Sequence, residues 1–262
     1  MTLLYFGRSA RQLFGAYHAP APGAAGAGRA VLVCPPWGQE YIASHRLLRV
    51  LAERLTARGH HVLRFDYYGT GDSGGAREDG DLAGWLDDAA AAADELRDMS
   101  GAAAVTAFGV RLGGAVAWRL AAERPDVRAA ALWDPVVDGA DFVREMEAAQ
   151  RDHNRWALTP RRARPPGDPT VDLLGFPLTP AMRASVESVR AADYGRPTAA
   201  RVTLFHSAVD ASAAALHAAL RGAGTPFHAE TLGIAPPWRE DEETWMAALP
   251  VAALERVLEV MG

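Results

Sequence analysis

Ala102-Ala103-Ala104-Val105-Thr106-Ala107-Phe108-Gly109-Val110-Arg111-Leu112-Gly113-Gly114-Ala115-Val116-Ala117-Trp118 is the stretch whose reading decides the fold. The apolar run up to Phe108 has the continuous character of a strand buried on both faces. Gly109 and Val110 predict a sharp turn straight into a helix, with Gly109 and Gly113 flanking Arg111 at the apex. Glycines at that spacing permit close backbone approach in a tight strand–turn–helix. Arg111 then stands at a helix N-terminus, where backbone N–H groups and the helix dipole already favour an anion.

Similar units repeat to either side. Leu3 to Phe6 and Gln12 to Tyr17 predict two short strands joined around Gly7-Arg8-Ser9, and Pro20 to Gly28 is a Pro/Gly/Ala linker. Ala30 to Cys34 is a buried strand stopped by Pro35-Pro36-Trp37-Gly38. Ser44 to Arg58 has a helical face of Leu47, Leu48, Leu51 and Leu55, ended by Gly59. His61 to Asp66 is the next strand, Asp81 to Met99 an amphipathic helix, and Val127 to Trp133 another strand. This alternation predicts right-handed βαβ units and a mainly parallel, doubly wound α/β sheet.

From Asp138 the rhythm changes. Phe142 to Trp156 is a charged helix, Pro160 to Pro169 an Arg/Pro-rich connector, and Leu173 to Pro180 leads into a helix over Met182 to Val189. The organisation expected is a core of residues 1–137 and 198–262 with residues 138–197 inserted as a helical lid, where loops carry specificity. The core resumes with a strand at Arg201 to His206, a helix at Ala211 to Leu220, a strand at Phe227 to Leu232 and a closing helix from Glu242 to Val260.

A chain of 262 residues that is 49% hydrophobic can bury one substantial core. With a formal charge of −5 it has no general attraction for nucleic acid or anionic membranes. No lysine occurs and all 27 basic residues are arginine, a skew that fits a GC-rich bacterial genome. The single cysteine, Cys34, excludes an internal disulfide framework. No signal peptide opens the sequence and no apolar run spans a bilayer, so the expected location is the cytoplasm.

The order of elements, the Gly109-Val110-Arg111-Leu112-Gly113 turn and Asp66-Tyr67-Tyr68-Gly69-Thr70-Gly71-Asp72-Ser73 together resemble the α/β-hydrolase superfamily. In that superfamily the turn is the nucleophile elbow, Gly-x-Ser-x-Gly, so here arginine stands where serine is usual. Three further stretches are similar to the exosortase A system-associated hydrolases, a branch of the serine-aminopeptidase-like group. They are Pro35-Pro36-Trp37-Gly38-Gln39-Glu40, Leu132-Trp133-Asp134-Pro135-Val136-Val137-Asp138-Gly139 and Gly175-Phe176-Pro177-Leu178-Thr179-Pro180. That branch also tends to carry arginine at the elbow. The resemblance implies that Asp210, in His206-Ser207-Ala208-Val209-Asp210, occupies the acid position. It also implies a base histidine after the last strand, where this chain has Gly233-Ile234-Ala235-Pro236-Pro237-Trp238 instead. A guanidinium stays protonated and cannot act as nucleophile, and without the histidine no base activates a hydroxyl. Ordinary Ser-His-Asp hydrolysis is therefore not expected.

Candidate chemistry lies at the C-terminal ends of the strands, where doubly wound sheets bind ligands. Arg111 is the expected anion anchor, forming a fork for a carboxylate or phosphate or an internal ion pair with Glu40, Asp134 or Asp210. Glu40, Asp134, His206 and Asp210 are candidate acid/base groups. Cys34 is either a core residue or a substitute nucleophile served by His206 and Asp210. Trp37, Trp133, Trp238, Asp66 and Phe176 are candidate substrate contacts, the two Pro-Pro-Trp loops being expected to face each other across the pocket. No metal or cofactor is expected, because the histidines show no ligand spacing and no phosphate-binding glycine loop is present.

The expected partner is an acyl- or carboxylate-bearing small molecule handled in a biosynthetic pathway without a serine nucleophile. The alternatives are a non-catalytic pseudo-hydrolase that binds a ligand or a partner enzyme, and an esterase or thioesterase using Cys34. The run Arg161-Arg162-Ala163-Arg164 is read as a solvated face, or else as a site for an acidic carrier protein.

Overall fold

The computed structural model describes residues 1–23, 29–156, 167–195, 197–238 and 249–261. Two antiparallel strands, β1 (Thr2–Arg8) and β2 (Arg11–His18), precede a series of strand–helix units. These are β3 (Arg29–Cys34), α1 (Gln39–Ala57), β4 (His60–Phe65), α2 (Leu82–Ser100), β5 (Val105–Val110), α3 (Leu112–Glu123) and β6 (Val127–Trp133). Next come α4 (Gly139–Trp156), the two-stranded pair β7 (Val171–Leu173) and β8 (Phe176–Leu178), and α5 (Pro180–Glu187). The core closes with β9 (Arg201–His206), α6 (Ala211–Gly222), β10 (His228–Thr231) and α7 (Val251–Met261).

The strands form one sheet in the order β1-β2-β4-β3-β5-β6-β9-β10. All neighbours from β4 to β10 are parallel, while β1 and β2 run antiparallel. The chain steps from β3 to β4 and then crosses back to β5 on the other side of β3. The strand order therefore reverses between β3 and β5, the place where open α/β sheets form a crevice beyond their C-terminal ends.

Period-two alternation divides the buried side chains between the two faces. Val31, Val33, Val62, Phe108, Val110 and Phe205 pack against leucines of α1 and α7. Ala30, Leu32, Leu63, Ala107, Leu132 and Leu204 pack on the other face, against α2, α3 and α6. Arg11 of β2 donates from Nε and Nη2 to Asp88 of α2 at 2.5 and 3.0 Å, and Arg54 and Arg58 of α1 pair with Glu255 of α7. The first pair pins α2 to the sheet, and the second joins α1 to α7 on the other face. Asp81 caps α2, its Oδ1 accepting from the Gly84 N–H at 2.7 Å.

The stretch between β6 and β9 closes on itself and is tied to the core near its end. Within it the Gly139 N–H donates to the Val189 carbonyl at 3.0 Å, and an added Cβ on Gly139 would stand 1.7 Å from the Val186 carbonyl oxygen. Near its end, Tyr194 Oη donates to the Val136 carbonyl and Trp118 Nε1 of α3 to the Asp193 carbonyl, at 2.7 and 2.9 Å.

Two local expectations change. Helix α1 begins at Gln39 rather than Ser44, since Gly38 adopts φ 69° and starts the helix earlier; Glu40 thus becomes a first-turn residue. Leu173 to Pro180, expected only to lead into the next helix, contains the β7–β8 pair, reversed at Leu174 (φ 52°) and Gly175 (φ 86°). The final helix is described only from Val251. The first part of the expected closing helix, the Arg161–Arg164 run and most of the 20–28 linker lie outside the described residues.

Candidate active site

Arg111 occupies the apex between β5 and α3 with φ 51° and ψ −119°. A side chain in that backbone region costs about 1–3 kcal/mol and persists only where surrounding contacts enforce it. Those contacts are explicit. A Cβ on Gly109 would lie 2.5 Å from the Gly113 carbonyl oxygen, and one on Gly113 would lie 2.2 Å from that of Pro35. The Arg111 N–H donates to the Trp133 carbonyl at 3.1 Å, and its carbonyl accepts from Gly114 and Val136. Two glycines therefore let strand, turn and helix close on one another, and the turn projects Arg111 above the sheet.

The guanidinium is held on two edges. Nε donates to Glu40 Oε1 at 2.7 Å and Nη2 donates to Glu145 Oε2 at 2.8 Å. The Phe142 ring lies 5.5 Å from its centre. Glu40 comes from the first turn of α1 and its side chain is 4% exposed, whereas Glu145 comes from α4 and is 41% exposed. Phe142 and Glu145 are three residues apart, which places them on one face of α4. Burial pushes the Glu40 carboxyl up to about 7 although Arg111 opposes the shift, and its second oxygen, Oε2, is buried without a hydrogen-bond partner. The two glutamates hold Arg111 firmly in its charged form, against the effect of burial. Of the internal partners expected for Arg111, Glu40 is the one found; Asp134 and Asp210 make no ion pair with it. Glu145 escaped the sequence reading, and its only signal was its spacing from Phe142 on an amphipathic helix.

Beside this clamp, Asp134, His206 and Asp210 line a cavity of about 50 Å³ together with Arg111, Glu145 and Trp238. That volume admits water and is far below the several hundred Å³ of ordinary ligand pockets. Asp134 sits at φ 40° after β6, and its Oδ1 accepts from the Ser207 N–H at 3.0 Å. Burial raises its carboxyl above the usual aspartate value, against the Ser207 hydrogen bonds. His206 Nδ1 lies 3.8 Å from Asp134 Oδ1, and His206 Nε2 lies 3.0 Å from His217 Nε2. Desolvation and then His217 lower His206, so it is neutral near pH 7. Asp210 accepts from the Ala213 N–H at 2.8 Å and so serves as the N-cap of α6.

Other expected site residues are placed elsewhere. Cys34 is 0% exposed on β3, and burial drives its thiol up to about 12, which removes the thiolate a nucleophile needs. Two strands separate β3 from β9, so Cys34 and His206 start from backbones about 14 Å apart, three strand spacings. The relay expected of Cys34, His206 and Asp210 is not assembled. The Pro-Pro-Trp loops also do not face one another. Trp37 packs in the α2/α3-side core, 6.5 Å from the Phe176 ring, while Trp238 packs on the α1/α7 side, 5.5 Å from Trp133. Trp133 is fully buried and donates to Ser207 Oγ at 3.1 Å, which makes it core rather than a pocket wall. Asp66 lines a separate cavity of about 240 Å³ with Tyr41, His45 and Arg64, and its oxygens accept from Tyr41 Oη (2.6 Å) and the Asp72 N–H (2.9 Å). Ser73 braces the same turn, accepting from the Phe14 N–H and donating to the Asp66 carbonyl.

Sheet order, crossover and the strained apex between β5 and α3 define an α/β-hydrolase-fold protein. Residues 41–167, just under half of the chain, match the family model for serine aminopeptidase, S33. Solved structures similar over nearly the whole length include Est1E from Butyrivibrio proteoclasticus, at 18% identity, covering 99% of this chain and 97% of that one, with a TM-score of 0.63. The esterase domain of a Rhodothermus marinus protein is 23% identical, with coverage of 100% and 95% and a TM-score of 0.61. XC6422 from Xanthomonas campestris, an α/β serine hydrolase without a lid, is 15% identical, with coverage of 99% and 94% and a TM-score of 0.59. Identities of this size establish the fold alone. No curated protein matches the sequence. Among the described residues, no helix is long and apolar enough to cross a membrane.

Proposed function

We propose that this α/β-hydrolase-fold protein binds an acyl- or carboxylate-bearing small molecule at Arg111 and handles it without a serine nucleophile. One observation carries the reading: the outer edge of the Arg111 guanidinium is held by the half-exposed carboxylate of Glu145, 2.8 Å away. Glu145 belongs to α4, so a shift of that helix frees one face of the fork while Glu40 keeps the other in place. A ligand carboxylate then takes the position of the Glu145 carboxylate, in the geometry guanidinium favours. Glu40, buried beside the anchor and near 7, is the group suited to hold or release a proton in any reaction that follows. The Pro35–Glu40, Leu132–Gly139 and Gly175–Pro180 motifs support the exosortase A-associated branch, and a single cysteine fits a reducing cytoplasm.

A second reading, a closed pseudo-hydrolase that binds a partner enzyme, rests on the cavity of about 50 Å³ beside the clamp. One experiment separates the two. Est1E has been solved with ferulic acid bound, which makes ferulate a reasonable aromatic carboxylate probe. Its binding is measured by titration, alongside turnover of acyl esters and thioesters, for wild type, Glu145→Ala, Arg111→Ala and Cys34→Ala. Tighter ferulate binding in Glu145→Ala, lost in Arg111→Ala, supports the anchor. Binding unaffected by Arg111→Ala overturns it, and absence of binding and turnover throughout favours the closed pseudo-hydrolase. Turnover abolished only by Cys34→Ala restores the thiol reading.

A further inference from the structure

The antiparallel ribbon β1–β2 extends the sheet beyond β4, and a second cavity, of about 240 Å³, lies between that extension and α1. Register builds its floor. Leu3 pairs with Ala16, Ala16 with Arg64 and Arg64 with Val33, so one row of side chains crosses four strands on the face that carries α1. All four line the cavity, and Ala16, the smallest of them, leaves room in the middle of the row. Tyr41, His45, Leu48 and Arg49 recur at helical spacing along α1 and form the facing wall. Met1 and Leu3, both exposed, form the rim.

The charged groups of this cavity differ in what they already hold. Arg49 donates from Nε to Glu53 at 2.9 Å. Asp66 has both oxygens engaged, Oδ1 by Tyr41 Oη at 2.6 Å and Oδ2 by the Asp72 N–H at 2.9 Å. Burial also raises the Asp66 carboxyl above the usual aspartate value. Asp72 is solvated at the surface.

Arg64 is the exception. Among the described residues its guanidinium makes no hydrogen bond and no ion pair. Its Nε is buried without a partner, while the two Nη nitrogens remain accessible. Desolvation lowers Arg64, and Asp66 attracts it only from beyond ion-pair distance. A half-buried cation with unused donors gains from an anion brought to it, since buried charges are ordinarily paired. The accessible Nη edge presents parallel N–H groups, the geometry that receives the two oxygens of a carboxylate. Around it the space is apolar, bounded by Leu3, Phe14, Ala16, Val33 and Leu48. A cavity of about 150 Å³ already admits benzene, so this one has room for a ring that carries a short acidic arm.

We propose that this cavity binds a small monocarboxylate with an apolar, ring-sized body, its carboxylate on the Nη edge of Arg64 and its body over Ala16. The site shares no lining residue with the Arg111 cavity and does not depend on what binds there.

The test is an amide-resolved NMR titration of the full chain with phenylacetate and, separately, with phenylacetamide and phenethylamine, which keep the ring and carry a neutral or a positive head. Phenylacetate is expected to shift the amide signals of Leu3, Ala16 and Arg64 saturably, with affinity at least about tenfold above either control. Arg64→Gln should lose at least about tenfold in affinity, and its unchanged amide spectrum away from the cavity keeps that loss from being a folding defect. Ala16→Leu, which fills the floor and leaves Arg64 in place, should weaken phenylacetate as well. The proposal is overturned if phenylacetate does not bind, if the amide or the amine binds as tightly, or if Arg64→Gln binds phenylacetate as wild type does. It is equally overturned if the signals that move surround Arg111 instead, which would assign the binding to that anchor.

Discussion

At the C-terminal end of β5, Arg111 is matched on two edges by Glu40 and Glu145 around a space of about 50 Å³. At the N-terminal ends of β3, β6 and β9, three arginines surround about 400 Å³ with no carboxylate among the described lining residues. The chemistry of the side chains is identical and their situation is opposite. A desolvated guanidinium must find a partner inside the fold, because an uncompensated buried charge costs several kcal/mol. Arg128 and Arg201, exposed at the rim of an open basin, keep their charged groups in water. Arg111 therefore belongs first to stability, and Arg128 and Arg201 are charges that the fold does not desolvate.

The largest test of that contrast is Arg111→Ala. Removing one partner of a buried ion pair costs about 3–5 kcal/mol, and Glu40 can recover part of that by taking a proton. The expected loss is about 3 kcal/mol above about pH 8, shrinking at acid pH, measured by urea unfolding across pH. A loss that is small and independent of pH would mean the clamp is not a structural pair.

Glu40→Gln probes the other partner. Glu40 is raised from 4.5 to about 7, so between those values the folded chain holds a proton that the unfolded chain has released. Wild-type stability is therefore expected to fall as pH rises through that window and to level above it. Glutamine keeps an acceptor for Arg111 Nε and has no proton to lose. The slope in this window should flatten relative to wild type, by up to about 3 kcal/mol over the whole range. Parallel curves for the two proteins would remove Glu40 as the titrating group.

How far the sequence could be read follows the same division between local and distant causes. The Gly109–Gly113 turn and the alternation of apolar runs with helical faces are local signals, and they predicted the sheet and the position of Arg111. Glu145 lies 34 residues from Arg111, on a helix whose docking depends on the path of the whole 138–197 stretch. Nothing in the local spacing says which of its faces meets the clamp. Trp37 and Trp238 sit in similar Pro-Pro-Trp loops, yet they pack in the cores on opposite faces of the sheet, and the three-residue motif they share carries no signal of which face its loop turns to. Arg29, Arg128 and Arg201 are far apart in sequence, and strand register with one bulge brings them together.

Glu145→Ala should have a modest effect. Glu145 is 41% exposed, and partly solvated ion pairs contribute about 0.2–1 kcal/mol. A stability loss below about 1 kcal/mol by urea unfolding is expected, with Glu40 retaining Arg111. A loss as large as that of Arg111→Ala would make Glu145 a structural partner rather than an exchangeable one, and a ligand carboxylate would then have no position to take.

The smallest expected effect falls on the basin. Arg128 and Arg201 are exposed at the N-terminal ends of the neighbouring strands β6 and β9, where two like charges lie close together. Substitutions at exposed positions usually change stability by no more than about 0.5 kcal/mol. Arg128→Ala/Arg201→Ala should therefore leave unfolding within that range, or raise stability slightly at low salt as repulsion between like charges is relieved. The sign and salt dependence carry the argument. An increase that vanishes with added salt identifies arginines whose charge the unliganded fold does not need, whereas a loss of several kcal/mol at any salt would make them internal partners like Arg111, and the contrast between the two ends of the sheet would disappear.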